Sequence, residues 1–134
     1  MSKNNYEEEV LEEDDFSEEE NDEEFEDEER EHTAILKKLK PYNSSEYGIK
    51  SKYRIGAGPI IVGRSEECDI CADDLYLSQK HFAIECSDGE WFVTDLKSKN
   101  GTYVNGRRIK KPCFLEDGDI ISFGDIQFEF QAEI

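Results

Sequence analysis

No run of about 18 apolar residues occurs anywhere in this sequence of 134 residues, which excludes a membrane-spanning helix. The N-terminus lacks the basic and apolar character of a secretory or organellar leader, so the sequence reads as a soluble, intracellular protein. Cysteine is sparse: Cys68, Cys71, Cys86 and Cys113 stand at irregular spacings. They are too few for a disulfide scaffold in a chain able to bury its own core, and reduced thiols are expected. Cys68-x-x-Cys71 wants two further ligands at useful spacing to hold zinc, and Cys86, Cys113 and His81 are scattered singly, so no metal is expected. Gly56-Ala57-Gly58-Pro59 lacks the lysine and the following helix of a phosphate-binding loop, which leaves no nucleotide cofactor. Helical period is missing as well. No segment of ten or more residues repeats its apolar positions at 3.6, which argues against a helical domain.

Acid is what the sequence has in quantity, and it is concentrated. Residues 1 to 32 hold 18 of the 34 Asp and Glu and 2 of the 16 Lys and Arg, for a net charge of −16. The remaining 16 acids and 14 bases leave residues 33 to 134 with −2 of the total −18. In the acidic stretch Val10, Leu11, Phe16 and Phe25 follow no sustained period, and too little apolar surface is present to offset the entropy of ordering. Residues 1 to 32 are therefore expected to form a disordered acidic tail that solvates the chain or binds a basic partner. Ser17 followed by Glu18, Glu19 and Glu20 has the pattern of an acidophilic-kinase site. A tethered tail of this charge is also expected to compete for any basic pocket on the domain, which residues 33 to 134 are expected to form.

From residue 33 onward the pattern changes to short runs rich in β-branched and aromatic residues, broken by turn pairs. Ten strands are predicted: 34–39, 51–55, 59–63, 69–71, 81–86, 91–96, 102–104, 107–109, 119–123 and 126–130. Asp88-Gly89, Asn105-Gly106, Asp117-Gly118 and Gly124-Asp125 accept the positive φ of tight turns, which predicts an antiparallel meander. About ten short strands in a hundred residues fold most readily as two packed sheets, an all-β antiparallel sandwich. Trp91, Phe92, Phe114, Phe123, Phe128 and Phe130 are the expected bulk of its core.

A sandwich presents its chemistry on the loops at one end. Gly63-Arg64, Ser78-Gln79-Lys80-His81 and Lys97-Ser98-Lys99-Asn100-Gly101-Thr102 fall on such loops. Guanidinium, hydroxyl, ammonium and amide together suit a tetrahedral dianion flanked by peptide: a fork for two oxygens, a donor for a third, and an amide to hold backbone in register. A Ser78, His81, Asp95 hydrolase can be drawn on paper, but the nucleophile elbow is absent and His81 lies only three residues from Ser78. No catalytic residue is assigned.

The blocks Gly63-Arg64-Ser65, Ser78-Gln79-Lys80-His81, Asn100-Gly101-Thr102-Tyr103-Val104-Asn105-Gly106 and Leu115-Glu116-Asp117-Gly118-Asp119, taken in order, resemble the forkhead-associated domains. Those domains are β-sandwiches that bind phosphothreonine peptides. The resemblance spans residues 63 to 119 in motifs and about 34 to 131 in strand pattern. It implies that Arg64 and Ser78 contact phosphate, that Asn100 bonds the peptide backbone, and that Gln79, Lys80 and Lys99 touch peptide or phosphate less uniformly. Gly63, His81 and Gly101 take architectural positions under it, with His81 bracing loops. Gln79 stands where many members have arginine, which leaves peptide preference open. The resemblance further implies a non-enzymatic recruiting module, a phosphothreonine-bearing protein partner, no direct nucleic acid, and residence in the nucleus, where many resembling proteins work. A monomer is the default. The competing reading from composition is an assembly protein whose sandwich is scaffold and whose acidic tail binds a basic partner.

Overall fold

Alternation of apolar and polar residues makes strands here, and turn residues decide where each one ends. The computed structural model describes residues 32–42 and 46–133; the acidic tail, with the disorder expected of it, lies outside the described residues. The folded unit runs His32–Ile134. Its elements are β1 (Ala34–Lys40), a 3₁₀ turn at Glu46–Gly48, β2 (Lys52–Ile55), β3 (Ile60–Gly63), β4 (Ile70–Cys71), β5 (Phe82–Ser87), β6 (Glu90–Asp95), β7 (Tyr103–Val104), β8 (Arg107–Arg108), β9 (Cys113–Leu115), β10 (Ile120–Phe123) and β11 (Ile126–Ala132). They form two sheets, ordered β2-β1-β11-β10-β7-β8 and β4-β3-β5-β6-β9.

Strand β11 shows the alternation most plainly. Ile126, Phe128 and Phe130 are fully buried while Gln127, Glu129 and Gln131 are half-exposed, as a strand with one wet face requires. The core joins the two sheets through aromatic edges. Phe82 of β5 meets Phe123 of β10 at 4.8 Å and 73°, Phe123 meets Phe128 at 5.3 Å, and Trp91 of β6 meets Phe130 of β11 at 5.6 Å. Tilted and edge-on pairs at these distances favour the ring quadrupoles beyond the area they bury.

The predicted core needs two corrections. Phe114 is 67% exposed and Phe92 half-buried. The reason is the period of two: with Trp91 and Val93 turned inward, Phe92 must face outward, and the register Phe92↔Phe114 puts its partner on the same outer face. Phe82, absent from the predicted core, takes the central place. The turn pairs divide as well. Asp88-Gly89 and Asn105-Gly106 have positive φ at both residues and close the β5–β6 and β7–β8 hairpins. Asp117-Gly118 instead carries the chain from β9 in one sheet to β10 in the other. Strand β9 is an eleventh strand beyond the ten predicted, and β3 pairs with β4 in parallel.

Direction of travel sets the two ends of the sandwich apart. Strand β3 finishes and β5 begins against the segment 78–81, where Gly63 and His81 meet. The β10–β11 turn lies at the same end, its Asp125 N–H bonded to Asp74. From there β11 runs away, and its last residues pair with the first of β1, Ala132 opposite Ala34.

Candidate functional site

Three connections converge at this end: 64–69 after β3, 72–81 before β5, and 96–102 between β6 and β7. The first two are pressed together because residue 63 has no side chain. A Cβ on Gly63 would strike the main-chain carbonyl of Gln79 and come to 3.0 Å from the His81 nitrogen. That contact lets the Arg64 N–H reach the Ser78 carbonyl at 3.0 Å and the Ser65 N–H reach the Gln79 carbonyl at 3.1 Å. Two thiols add to the seam: Cys71 donates to the Arg64 carbonyl at 3.3 Å and Cys68 to the Gln79 carbonyl at 3.1 Å. Burial pushes the Cys68 thiol up, a shift that the nearby Lys80 ammonium opposes.

Fully buried His81 joins the second connection to the third. Its Nδ1 accepts the Ser78 N–H at 3.1 Å, so Nδ1 is unprotonated and Nε2 carries the hydrogen, which is donated to the Gly101 carbonyl at 2.8 Å. The Ser78 hydroxyl oxygen accepts the Lys99 N–H at 3.0 Å. Asn100 donates from its side-chain amide to the Tyr76 carbonyl at 2.8 Å. Gly101, at φ +91, sits beneath Arg108, whose Nε would be 2.6 Å from any Cβ there. Main-chain and side-chain bonds thus tie Ser78, His81, Lys99 and Gly101 directly, Arg64 through its backbone to Ser78, and Asn100 through Tyr76.

Gln79, Lys80, Lys99 and Asn100 are exposed, Arg64 and Ser78 half-buried, and Gly63, His81 and Gly101 buried. Among the described residues, Arg64, Lys80 and Lys99 have no carboxylate within ion-pairing distance; the ion pair found there joins Arg54 and Glu133. The end of the sandwich therefore carries three uncompensated cations on a loop cluster held rigid from below. His81 meets Ser78 through main-chain N–H and spends its other nitrogen on Gly101, and Asp95 bonds neither, so these three residues do not make a hydrolytic triad.

Sequence reasoning missed the carboxylates that hold the loops. Asp95 Oδ1 accepts the hydroxyls of Ser98 at 2.6 Å and Thr102 at 2.7 Å, its Oδ2 accepts the Ser98 N–H at 3.1 Å, and Ser98 Oγ in turn accepts the Gly101 N–H at 3.0 Å. Burial raises the Asp95 carboxyl, but the hydrogen bonds from Ser98 and Thr102 outweigh it and hold the group below its ordinary range. Asp74, 2% exposed, accepts the main-chain N–H groups of Tyr76 at 2.9 Å and Asp125 at 3.1 Å. Asp74 accepting the N–H two residues on is an Asx-turn, a pattern that an Asp in a loop signals, whereas Asp95 reaches the N–H three residues on.

Residues 60–124 match the family model of the FHA domain. Over 70 residues the chain is 40% identical to an oxoglutarate dehydrogenase inhibitor of Corynebacterium efficiens, an alignment that covers 52% of this chain and 49% of that protein; the chain spans about half that relative's length. Among solved structures, the FHA domain of a Chlamydia trachomatis protein superposes with a TM-score of 0.66 at 26% identity, covering 76% of this chain and 99% of that one. Mycobacterium tuberculosis EmbR in complex with a low-affinity phosphopeptide gives a TM-score of 0.64 at 29% identity, covering 74% of this chain and 24% of EmbR. Residues 60–124 therefore form a forkhead-associated domain, the family that both the matching model and the superposed Chlamydia structure represent.

Proposed function

We propose that the domain binds a phosphothreonine-containing segment of a protein partner at the 64, 78–80 and 99–100 loop cluster, and so recruits that partner or is recruited to it. The observation that carries this reading is the Arg64 guanidinium, half-buried at the rim of a braced loop and without a carboxylate among the described residues. A cation kept unpaired on rigid backbone suits a ligand dianion, because no internal ion pair has to be broken to bind it. Arg64 supplies the fork. Ser78 donates its hydroxyl, since its oxygen already accepts from Lys99 and the proton is left to point outward. Asn100 orients the peptide backbone, while Gln79, Lys80 and Lys99 contact flanking groups. Gly63, His81 and Gly101 hold the loops in place. The EmbR structure, solved with a phosphopeptide, supports the same reading.

The module is non-catalytic in this proposal, works as a monomer without metal or cofactor, and acts inside the cell, where threonine kinases mark proteins. Imaging of the tagged protein tests the nuclear address implied by the resemblance. Binding of a basic partner through residues 1 to 32 is a separate part of the proposal, tested by deleting them: partner capture that survives the deletion removes the tail from it.

The test of the site is titration of the full chain with a degenerate phosphothreonine peptide library, the same library unphosphorylated, and a phosphoserine version. Micromolar binding confined to phosphothreonine is expected. Equal binding of the unphosphorylated library, or none of any kind, would overturn the assignment.

A further inference from the structure

Away from the loop cluster, the segment that crosses between the sheets carries a second concentration of unpaired charge. Arg107, Arg108, Lys110 and Lys111 place four cations in five residues. All four are exposed and, among the described residues, without an ion pair. They line an open groove of about 840 Å³. Its one acid, Asp119, is already engaged, accepting the Asn105 amide at 3.0 Å and the Glu116 N–H at 2.8 Å. Beside the cations lies an apolar slot of about 220 Å³ formed by Phe92, Pro112 and Phe114. Phe114 is 67% exposed, though its cross-strand partner Phe92 covers one edge at 6.3 Å. Strand β8 is the edge of one sheet and β9 the edge of the other, so both rims of this groove are open to an added strand.

From this juxtaposition we infer that the groove between β8 and β9 docks an extended, unphosphorylated acidic segment of a partner protein that carries an aromatic or large aliphatic side chain for the Phe92–Phe114 slot. Charge complementarity selects the class of ligand. Four unpaired cations attract a polyanion at short range, and the unpaired edges of β8 and β9 offer main-chain hydrogen bonds that an extended peptide can complete and a nucleic acid cannot. The apolar slot then selects among acidic peptides, because a ring buried between Phe114 and Pro112 removes apolar surface from water, which a carboxylate cannot do. Arg108, lying over Gly101, brings one end of the groove next to the loop that bears Asn100. The two surfaces nevertheless use different side chains, so this docking does not rest on the phosphothreonine reading.

The test is fluorescence anisotropy of the full chain with a labelled Glu/Asp-rich peptide bearing one central Phe, at about 0.1 M salt, where charges remain attractive over roughly 10 Å. Saturable binding is expected. Lys110→Glu/Lys111→Glu should weaken it at least tenfold, Phe114→Ser severalfold, and Arg64→Ala not at all. All four positions are exposed or half-buried, and thermal melts check that each variant folds. An affinity unchanged in Lys110→Glu/Lys111→Glu overturns the inference. So does equal binding of the same peptide with Phe replaced by Glu, which would reveal plain counterion condensation, and so does tighter binding of a single-stranded oligonucleotide of matched charge. Loss of phosphothreonine-peptide binding in Arg64→Ala with acidic-peptide binding intact separates the two surfaces.

Discussion

Replacing Arg64 isolates the phosphate fork from everything the loops do for stability. The side chain is half-buried and makes no ion pair among the described residues, while its backbone supplies the bonds to Ser78 and Cys71. Arg64→Ala should thus leave the folded state nearly unchanged, within about 0.5 kcal/mol and about two to four degrees in a thermal melt. Binding is another matter. A guanidinium fork on a phosphate makes two charge-assisted hydrogen bonds, each worth roughly 1.5–3 kcal/mol. Because the site is open to water, about one bond's worth survives screening, which corresponds to roughly ten- to hundredfold in Kd. Arg64→Lys keeps the charge and loses the fork, and should fall between parent and alanine variant. Isothermal titration with a phosphothreonine peptide selected from the library reads all three. An alanine variant that melts like the parent and binds within twofold of it would refute the assignment of Arg64, and with it the idea that an unpaired cation here is kept for a ligand.

The two phenylalanines exchanged between core and surface give opposite results. Phe82→Ala should cost about 3–5 kcal/mol and Phe114→Ala under about 0.5, as read by urea denaturation; comparable losses would contradict the described packing. Gly63→Ala drives a methyl into the Gln79 carbonyl and should destabilise by about 1–3 kcal/mol, lowering both Tm and phosphopeptide affinity. An unchanged Tm would show that the two segments do not meet there. Asp95 yields a pH signature. Its carboxyl is held below the ordinary 3.8 by hydrogen bonds present only in the fold, so its stabilisation is fully in force above that value and lost as pH falls through the depressed one. Asp95→Asn should therefore be less stable at neutral pH and lose less on acidification; parallel stability–pH curves for parent and variant would exclude this role.

Much of the fold could be read from period alone, since Ile126, Phe128 and Phe130 declare their face whatever surrounds them. Strand β9 could not: three residues after Lys-Lys-Pro are too short to show a period, and only pairing with β6 makes Cys113–Leu115 a strand. Phe92 and Phe114 were assigned to the core by size, and the inward turn of their neighbours Trp91 and Val93 decides otherwise. The parallel β3–β4 pair depends on a loop that doubles back, which no local signal announces. At the loop cluster, the placement of Arg64, Ser78 and Asn100 on loops could be read because turns and charges are local features, while their proposed roles rest on the family resemblance. Asp74 was legible only by half: its bond to the N–H two residues on is local, but the Asp125 N–H fifty-one residues away is brought to it only by the finished fold.

The pairing of Ala34 with Ala132 has a practical side. The Glu133 N–H bonds the Thr33 carbonyl at 3.1 Å, and the Thr33 hydroxyl bonds the Glu133 carboxylate, so first and last strands finish side by side at the end of the sandwich remote from Arg64. The Asp88-Gly89 hairpin shares that end, with His32 3.7 Å from where a Gly89 side chain would begin. Residues 33 and 133 can accordingly be joined by a short linker and the chain reopened at 88–89 without moving the loop cluster. Such a circular permutant, with a reporter fused at the new ends, would be a sensor whose optical part stands clear of whatever the loops hold.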